Sequence, residues 1–391
     1  MKIGKIGLLP LILIAIVTGA LLGTVAPEWL TRLFATFNGI FANFLAFFIP
    51  LLIIGLVTPA IADVGRSAGK MLLITALIAY GNTVFSGFFS YVTSTSIFPS
   101  VMPSDAAQAT ANAPEKMVEP FFVIGIKPMF DVLAALVFSF IMGLGMAYVK
   151  ASRLKMAFNE FKAIVEKTIN FVIIPLLPIF IFGMFLIMSA TGKAWNIASV
   201  FISVIGIIFA MHIVLLLFQY LAAGAIAKRN PFKALWHMLP AYFTALGTSS
   251  SAATIPVTLR CAKKNNVNED IADFVIPLCA TIHLSGSAMK ITACAIALML
   301  MQNIPVELGT MTGFILMLGV MMVAAPGVPG GAIMAAVGVL QSVLGFNEEQ
   351  TGLMITLYIA MDSFGTACNV TGDGAIAVVI NKLFHKKKAE E

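Results

Sequence analysis

The chain reads as an all-α polytopic membrane protein of eight transmembrane helices plus two re-entrant helical hairpins. Three observations carry this reading. Of 391 residues, 60% are hydrophobic and 11% charged, with a mean hydropathy of +0.99, a balance foreign to soluble globular domains. Apolar runs long enough to cross about 30 Å of hydrocarbon recur along the whole length. Two more apolar segments are interrupted midway, one by serines and one by prolines and glycines, so neither half can cross alone. The net charge of +6 comes from basic residues clustered in short loops. It is therefore no nucleic-acid signal, and membrane lipids are the surroundings it implies.

The first run, about 7–26, follows M-K-I-G-K and lacks a small-residue cleavage site, so it reads as a span and not a signal peptide. Further spans fall at about 36–62, 70–97, 129–149, 168–190 and 197–226. Residues 98–127, with several prolines and no helical period, read as an exposed loop. The segment 234–260 contains T-S-S-S and the segment 309–345 contains P-G-V-P-G-G. Broken backbone at membrane depth is tolerated only where it lines a cavity. A matched pair of interrupted segments therefore points to a transporter's substrate site. The last two spans lie at 271–301 and 352–380.

Orientation follows from the basic residues. With a cytoplasmic N-terminus, the inner loops hold Lys2, Lys5, Arg66, Lys70, the Lys150–Lys167 group, Lys228, Arg229, Lys233, Arg260, Lys263, Lys264 and the tail Lys382–Lys388. The outer loops hold only Arg32, Lys116, Lys127 and Lys193. The positive-inside rule then places both termini in the cytoplasm of a multi-pass cell-membrane protein. His385, in the basic tail, lies near anionic lipid headgroups, and Asp131 is interfacial. Cys261, Cys279, Cys294 and Cys368 are widely spaced and read as small buried residues, not as disulfides or metal ligands. His212 and His237, read as lying near helix ends, lack metal-ligand spacing and are structural.

The chemistry concentrates between Tyr358 and Asn381, an apolar stretch that carries Asp362, Thr366, Asn369 and Asp373. Their i, i+4, i+7, i+11 spacing puts them on one helix face. Two carboxylates at hydrocarbon depth are expensive unless they face a polar cavity or a cation. Polar side chains that merely bind one helix to another would suit Thr366 or Asn369 alone. Eleven helical residues separate the two aspartates by about 16 Å, too far for a proteolytic dyad that shares a proton at about 3 Å. The serine run has no base except His283, which nothing in the sequence orients. A channel would need rings of like charge or a repeated filter. Transport, not catalysis, remains.

T-S-S-S-A-A-T-I-P-V-T-L-R-C-A, G-V-P-G-G-A and N-V-T-G-D resemble, in order and spacing, the dicarboxylate/amino acid:cation symporter family, the glutamate transporter homologues. The similarity is strongest from about Ala241 to Ile380. It implies a homotrimer working as an elevator. Residues 1–68 (spans 1–2) and 128–192 (spans 4–5) would form a scaffold, 98–127 an extracellular loop, and 69–97 (span 3) with 193–391 a moving transport domain. It implies that Asp362 binds the substrate's α-amino group and Asn369 its α-carboxylate, helped by Ser249, Ser250 and Ser251. The backbone of Val328, Pro329 and Gly330 would close the outer gate, and Asp373 would ligate sodium as the coupling ion. No other cofactor is implied.

Two departures from the family pattern matter. Three residues after Asp362, where members with acidic substrates carry an arginine, stands Gly365. Without a bidentate guanidinium an acidic side chain would be unpaired. The expected substrate is thus a neutral amino acid, serine, threonine or alanine first and larger ones also open, with Gly365 leaving extra room beside Thr366. The family's sodium-ligating N-M-D-G-T reads here as His283-Leu284-Ser285-Gly286-Ser287, which loses an anionic oxygen ligand. Lys290 follows on the same face, i+3 from Ser287, and the hydroxyls expected in span 3 are missing near Thr75–Ala79. Two readings stay open. Either the Lys290 ammonium replaces a bound sodium, with coupling weakened, lost or passed to protons, or sodium still binds at Asp373 with fewer ions per cycle. The competing readings are a Lys290 that snorkels to an interface and a His283 that is a core histidine with no ion role.

Overall fold

The computed structural model describes residues 8–66, 70–101, 118–149, 152–192, 194–325 and 329–384, and among them there is no strand. The helices are α1 (Leu8–Gly23), α2 (Glu28–Arg66), α3 (Lys70–Val101), α4 (Val132–Tyr148), α5 (Ser152–Thr168) and α6 (Ile174–Ala190). They continue as α7 (Ala194–Ala227), α8 (Pro231–Thr248), α9 (Ser251–Lys264), α10 (Glu269–Ile282) and α11 (Ser285–Met301). The last are α12 (Leu308–Ala324), α13 (Gly331–Leu344), α14 (Glu348–Ala360) and α15 (Asp362–Phe384). By length and composition, six helices among the described residues suffice to cross a membrane: α2, α3, α5–α6, α7, α10–α11 and α15.

Several boundaries differ from the sequence reading for identifiable reasons. A π turn, Ile169–Ile173, joins α5 to α6, so the span expected at 168–190 is the second half of one long helix. Its first half is charged, with an exposed Lys162–Glu166 pair at 3.9 Å, and so escaped a search for apolar runs. Helix α3 continues to Val101 into the segment read as a loop, of which 102–117 lie outside the described residues. Asp131 caps α4 by accepting from the Ala134 N–H at 2.7 Å.

The two C-terminal spans are not continuous. One breaks at His283–Leu284, between α10 and α11, and the other at Met361, between α14 and α15. No proline or glycine marks either break. Side chains from other helices satisfy the freed backbone, as non-helical backbone inside a membrane requires.

Packing sorts the helices by sequence character. Helix α1 lies on α6, and α2 on α4, α5 and α6. Helix α3 lies on α11 and α12, while α15 is surrounded by α7, α8, α9, α10 and α11. Helix α3 buries Thr75, Ala79, Thr83, Ser86, Gly87, Ser90 and Ser94 and turns Leu73, Leu77 and Val92 outward. That inversion is what lipid demands, because small and polar residues let helices approach and bond while apolar ones face hydrocarbon. All four cysteines are free and buried.

Candidate functional site

The serine segment makes a sharp corner. Helices α8 and α9 pack on each other, and Ser249 (φ +49°) turns the chain through the left-handed region. Ser250 caps α9, accepting from the Ala253 N–H at 3.3 Å, and Ser251, the first residue of α9, is buried. Helices α12 and α13 form a second packed pair. Gly330 (φ +74°) precedes α13 in a conformation that suits glycine, with half-buried Pro329 before it. Val328, expected beside them, lies outside the described residues.

Both corners meet the first turn of α15. Ser249 Oγ lies 2.7 Å from Ser363 Oγ, and the Gly330 N–H donates to Asp362 Oδ2 at 2.7 Å. Asp362 is 6% exposed and sits at the N-terminus of its own helix, facing the N-terminus of α13. The positive ends of both helix dipoles favour its charge. Thr366 Oγ1 donates back to the Asp362 carbonyl at 3.0 Å within the helix.

Lys290 does not snorkel: it is fully buried. Its Nζ donates to the carbonyls of Met361 at 3.1 Å and Tyr358 at 3.2 Å. It stands 3.5 Å from the centre of the Tyr358 ring and 3.8 Å from Asp362 Oδ1. The ammonium thus occupies the negative, carbonyl-bearing end of α14, and the ring face adds a cation–π contact. It also corrects the expectation that Gly365 leaves room beside Thr366. A Cβ built on Gly365 would come 2.9 Å from Lys290 Nζ and 3.3 Å from its Cε. The space the glycine leaves is filled by lysine.

The α10–α11 break is held by residues far away in sequence. Asn369 Oδ1 accepts from the N–H groups of Gly286 at 2.8 Å and Ser287 at 3.3 Å, capping α11 from another helix, and its Nδ2 donates to Ser287 Oγ at 3.1 Å. Ser287 Oγ also meets the Tyr358 hydroxyl at 3.0 Å. Ser285 Oγ accepts from Gln219 Nε2 at 3.0 Å, which is shared with Asn82 Oδ1 at 2.9 Å. Ser86 and Ser90 of α3 donate to the carbonyls of Ser285 and Met289, each at 2.7 Å. Hydroxyls of α3 thus do reach the break, from positions further along the helix than Thr75–Ala79. The signal that could have found them is the Asn82, Ser86, Ser90 run on one face of α3.

Asp373 Oδ1 lies 2.8 Å from His283 Nδ1, and both side chains are at most 1% exposed. His283 is thus a buried histidine whose Nδ1 is satisfied by a carboxylate. Sodium is a hard cation that takes oxygen ligands, and an imidazole nitrogen fills the approach to this carboxylate. On its Oδ1 side this carboxylate therefore meets a nitrogen, not the oxygen ligands that sodium takes. Among the described residues, no three His, Cys, Asp or Glu side chains are placed to hold a metal ion. His212, expected near a helix end, lies inside α7, buried, with Nε2 3.3 Å from the Gly286 carbonyl at the same break. His237 is structural, its Nδ1 2.8 Å from Asn265 Oδ1.

The sequence is similar to those of known proteins. The excitatory amino acid transporter 4 of Mus musculus is 36% identical over 163 residues, covering 41% of this chain and 29% of its own length. The excitatory amino acid transporter 3 of Homo sapiens is 34% identical over 167 residues, 42% of this chain and 32% of the relative. The excitatory amino acid transporter 5 of Mus musculus is 31% identical over 204 residues, 52% of this chain and 35% of the relative. The chain spans about a third of the length of the relatives it matches. The profile of the sodium:dicarboxylate symporter family matches residues 8–383. With its apolar helices this makes the chain a multi-pass membrane protein, and it belongs to the sodium:dicarboxylate symporter family, a family of transporters and not of enzymes.

Proposed function

We propose that the protein is a cation-coupled secondary transporter that moves a small neutral amino acid across the cell membrane. The observation that carries this reading is the meeting of two helix-pair corners, at Ser249 and Gly330, on the first turn of α15. An anionic group ringed by helix N-termini and hydroxyls suits a zwitterion, whose ammonium seeks Asp362 and whose carboxylate seeks N–H donors. Asn369 keeps one amide hydrogen beyond its bond to Ser287 Oγ, and Ser250 and Ser251 stand at the N-terminus of α9. Pro329, Gly330 and the adjoining Val328 are the gate in this reading.

The mechanism is an elevator within a homotrimer. Spans 1, 2, 4 and 5 stay fixed while span 3, span 6, both hairpins and the broken spans 7 and 8 slide together, eight spans and two hairpins in all. Both termini are cytoplasmic. The coupling ion is sodium, after the family's description, or a proton. A second reading has a specific observation behind it. Lys290 already neutralises Asp362 at 3.8 Å, so a built-in ammonium replaces a bound cation and the protein works as a sodium-independent exchanger or uniporter.

Uptake of labelled serine, threonine and alanine into proteoliposomes tests the proposal, with sodium, proton and counter-substrate gradients imposed one at a time. Saturable uptake driven by one cation gradient supports symport, and uptake driven only by counter-substrate supports exchange. Asp362→Asn should weaken substrate binding at least about 10-fold, the loss expected for a hydrogen-bonded charged partner. Unimpaired high-affinity uptake by that variant would sink the amino-group assignment.

A further inference from the structure

We propose that the His283 side chain itself occupies the cation position beside Asp373, so that this position takes no sodium ion. The inference rests on the transporter reading only for what would otherwise fill the position; the geometry stands apart from it.

The line between Asp373 Oδ1 and His283 Nδ1 is 2.8 Å long. Whichever of the two groups holds the proton, that proton lies on the line and a metal ion cannot share it. Several other oxygens around the break are committed as well. Asn369 Oδ1 accepts two backbone N–H groups. Ser285 Oγ accepts from Gln219, and the Ser285 carbonyl accepts from Ser86. The Gly286 carbonyl faces His212, and the Thr371 carbonyl accepts from the Tyr220 hydroxyl at 2.7 Å. A hard cation needs several free oxygens at once, and here protein donors from α3, α7 and α11 have taken these, leaving Gln219 Oε1 without a partner.

The chain also makes room for the ring. A Cβ on Gly372 would fall 2.8 Å from His283 Cε1 and 2.8 Å from Gln219 Oε1. A glycine one residue before Asp373 therefore lets the imidazole lie close against α15. On the ring's far side, His283 Nε2 and Gln219 Oε1 are both buried without a hydrogen-bond partner. The ring is thus held by its carboxylate and by shape. An asparagine at 283 would restore an amide oxygen and vacate the ring's volume beside Asp373.

The test is thermal melting of the purified full-length protein in detergent, in sodium chloride against choline chloride at equal ionic strength and fixed pH. In the wild type, Asp373→Asn is expected to leave any difference in melting temperature between the two salts unchanged. His283→Asn, or His283→Gln if the first does not fold, should gain a saturable, sodium-specific rise of roughly 3–5 °C, which Asp373→Asn added to it removes. A wild-type sodium response that Asp373→Asn abolishes overturns the proposal. So does a folded position-283 variant that ignores sodium. A wild-type sodium response that survives Asp373→Asn places any sodium elsewhere and supports it. Failure of every uptake assay alongside a sodium response in the position-283 variant would sink the transporter reading and leave this inference standing.

Discussion

A buried ammonium must be matched by charge and by hydrogen bonds, because an isolated ion in low dielectric is prohibitive. Lys290 meets both demands through Asp362, two carbonyls and the Tyr358 ring. Its match to Gly365 makes the two positions one steric unit. Gly365→Ala should cost about 1–3 kcal/mol, the usual penalty for overpacking, read as a lower melting temperature. Lys290→Met should cost about 3–5 kcal/mol, since it strands a buried carboxylate. If the ammonium stands in for a cation, the same variant gains cation-dependent uptake; unchanged ion dependence removes that idea. The double variant Lys290→Met/Gly365→Arg returns a cation to the same space from the other helix. It should recover much of the stability and take up acidic amino acids, which competition against labelled serine would reveal.

At the scale of elements, two broken helices hold each other's breaks. Asn369 of α15 caps α11, while Lys290 of α11 gathers the carbonyls at the end of α14. Each break leans on the other span: the Gly286 and Ser287 N–H groups are satisfied by Asn369, and the Tyr358 and Met361 carbonyls take the Lys290 ammonium besides the N–H groups of Met361 and Gly365. Asn369→Leu should therefore destabilise by about 1–3 kcal/mol for each stranded N–H, visible as early melting with α11 losing protection in hydrogen exchange. Gly286 lies where these helices touch: a Cβ there would stand 2.7 Å from Cys368 Cβ and 2.9 Å from the Gly365 carbonyl. Because backbone cannot yield as a flexible side-chain end can, Gly286→Ala should prove more damaging than Gly365→Ala in the same assay.

Across the whole molecule, charge and apolar surface report the surroundings. Leu13, Ile14, Val17 and Leu21 of α1 are each about half exposed or more, as suits a face turned to hydrocarbon. Lys263 and its partners Glu269 and Asp273, at 2.6 and 3.3 Å, mark the opposite kind of surface, wetted and screened. Single cysteines in a cysteine-free background test the orientation. Lys264→Cys should react with an impermeant thiol reagent only after the membrane is opened, and Glu119→Cys before. Reversed reactivity would invert the proposed topology. Chemical cross-linking in membranes should stop at three copies of the 41.6 kDa chain if the trimer is right.

What the sequence determined alone is whatever depends on neighbours a few residues apart. Hydrophobic runs, two segments interrupted by serine or by proline and glycine, and the four-residue polar face of α15 are local patterns, and periodicity reads them directly. What only the tertiary structure decided is which distant groups meet. Gly330 reaches Asp362 across 32 residues, Lys290 reaches Met361 across 71, His283 reaches Asp373 across 90, and Ser86 reaches the Ser285 carbonyl across 199. A glycine at 365 looks the same in sequence whether its space is left for substrate or filled by a lysine from another helix. A buried charge takes its partner from whichever element packs beside it, and that choice is made by the fold.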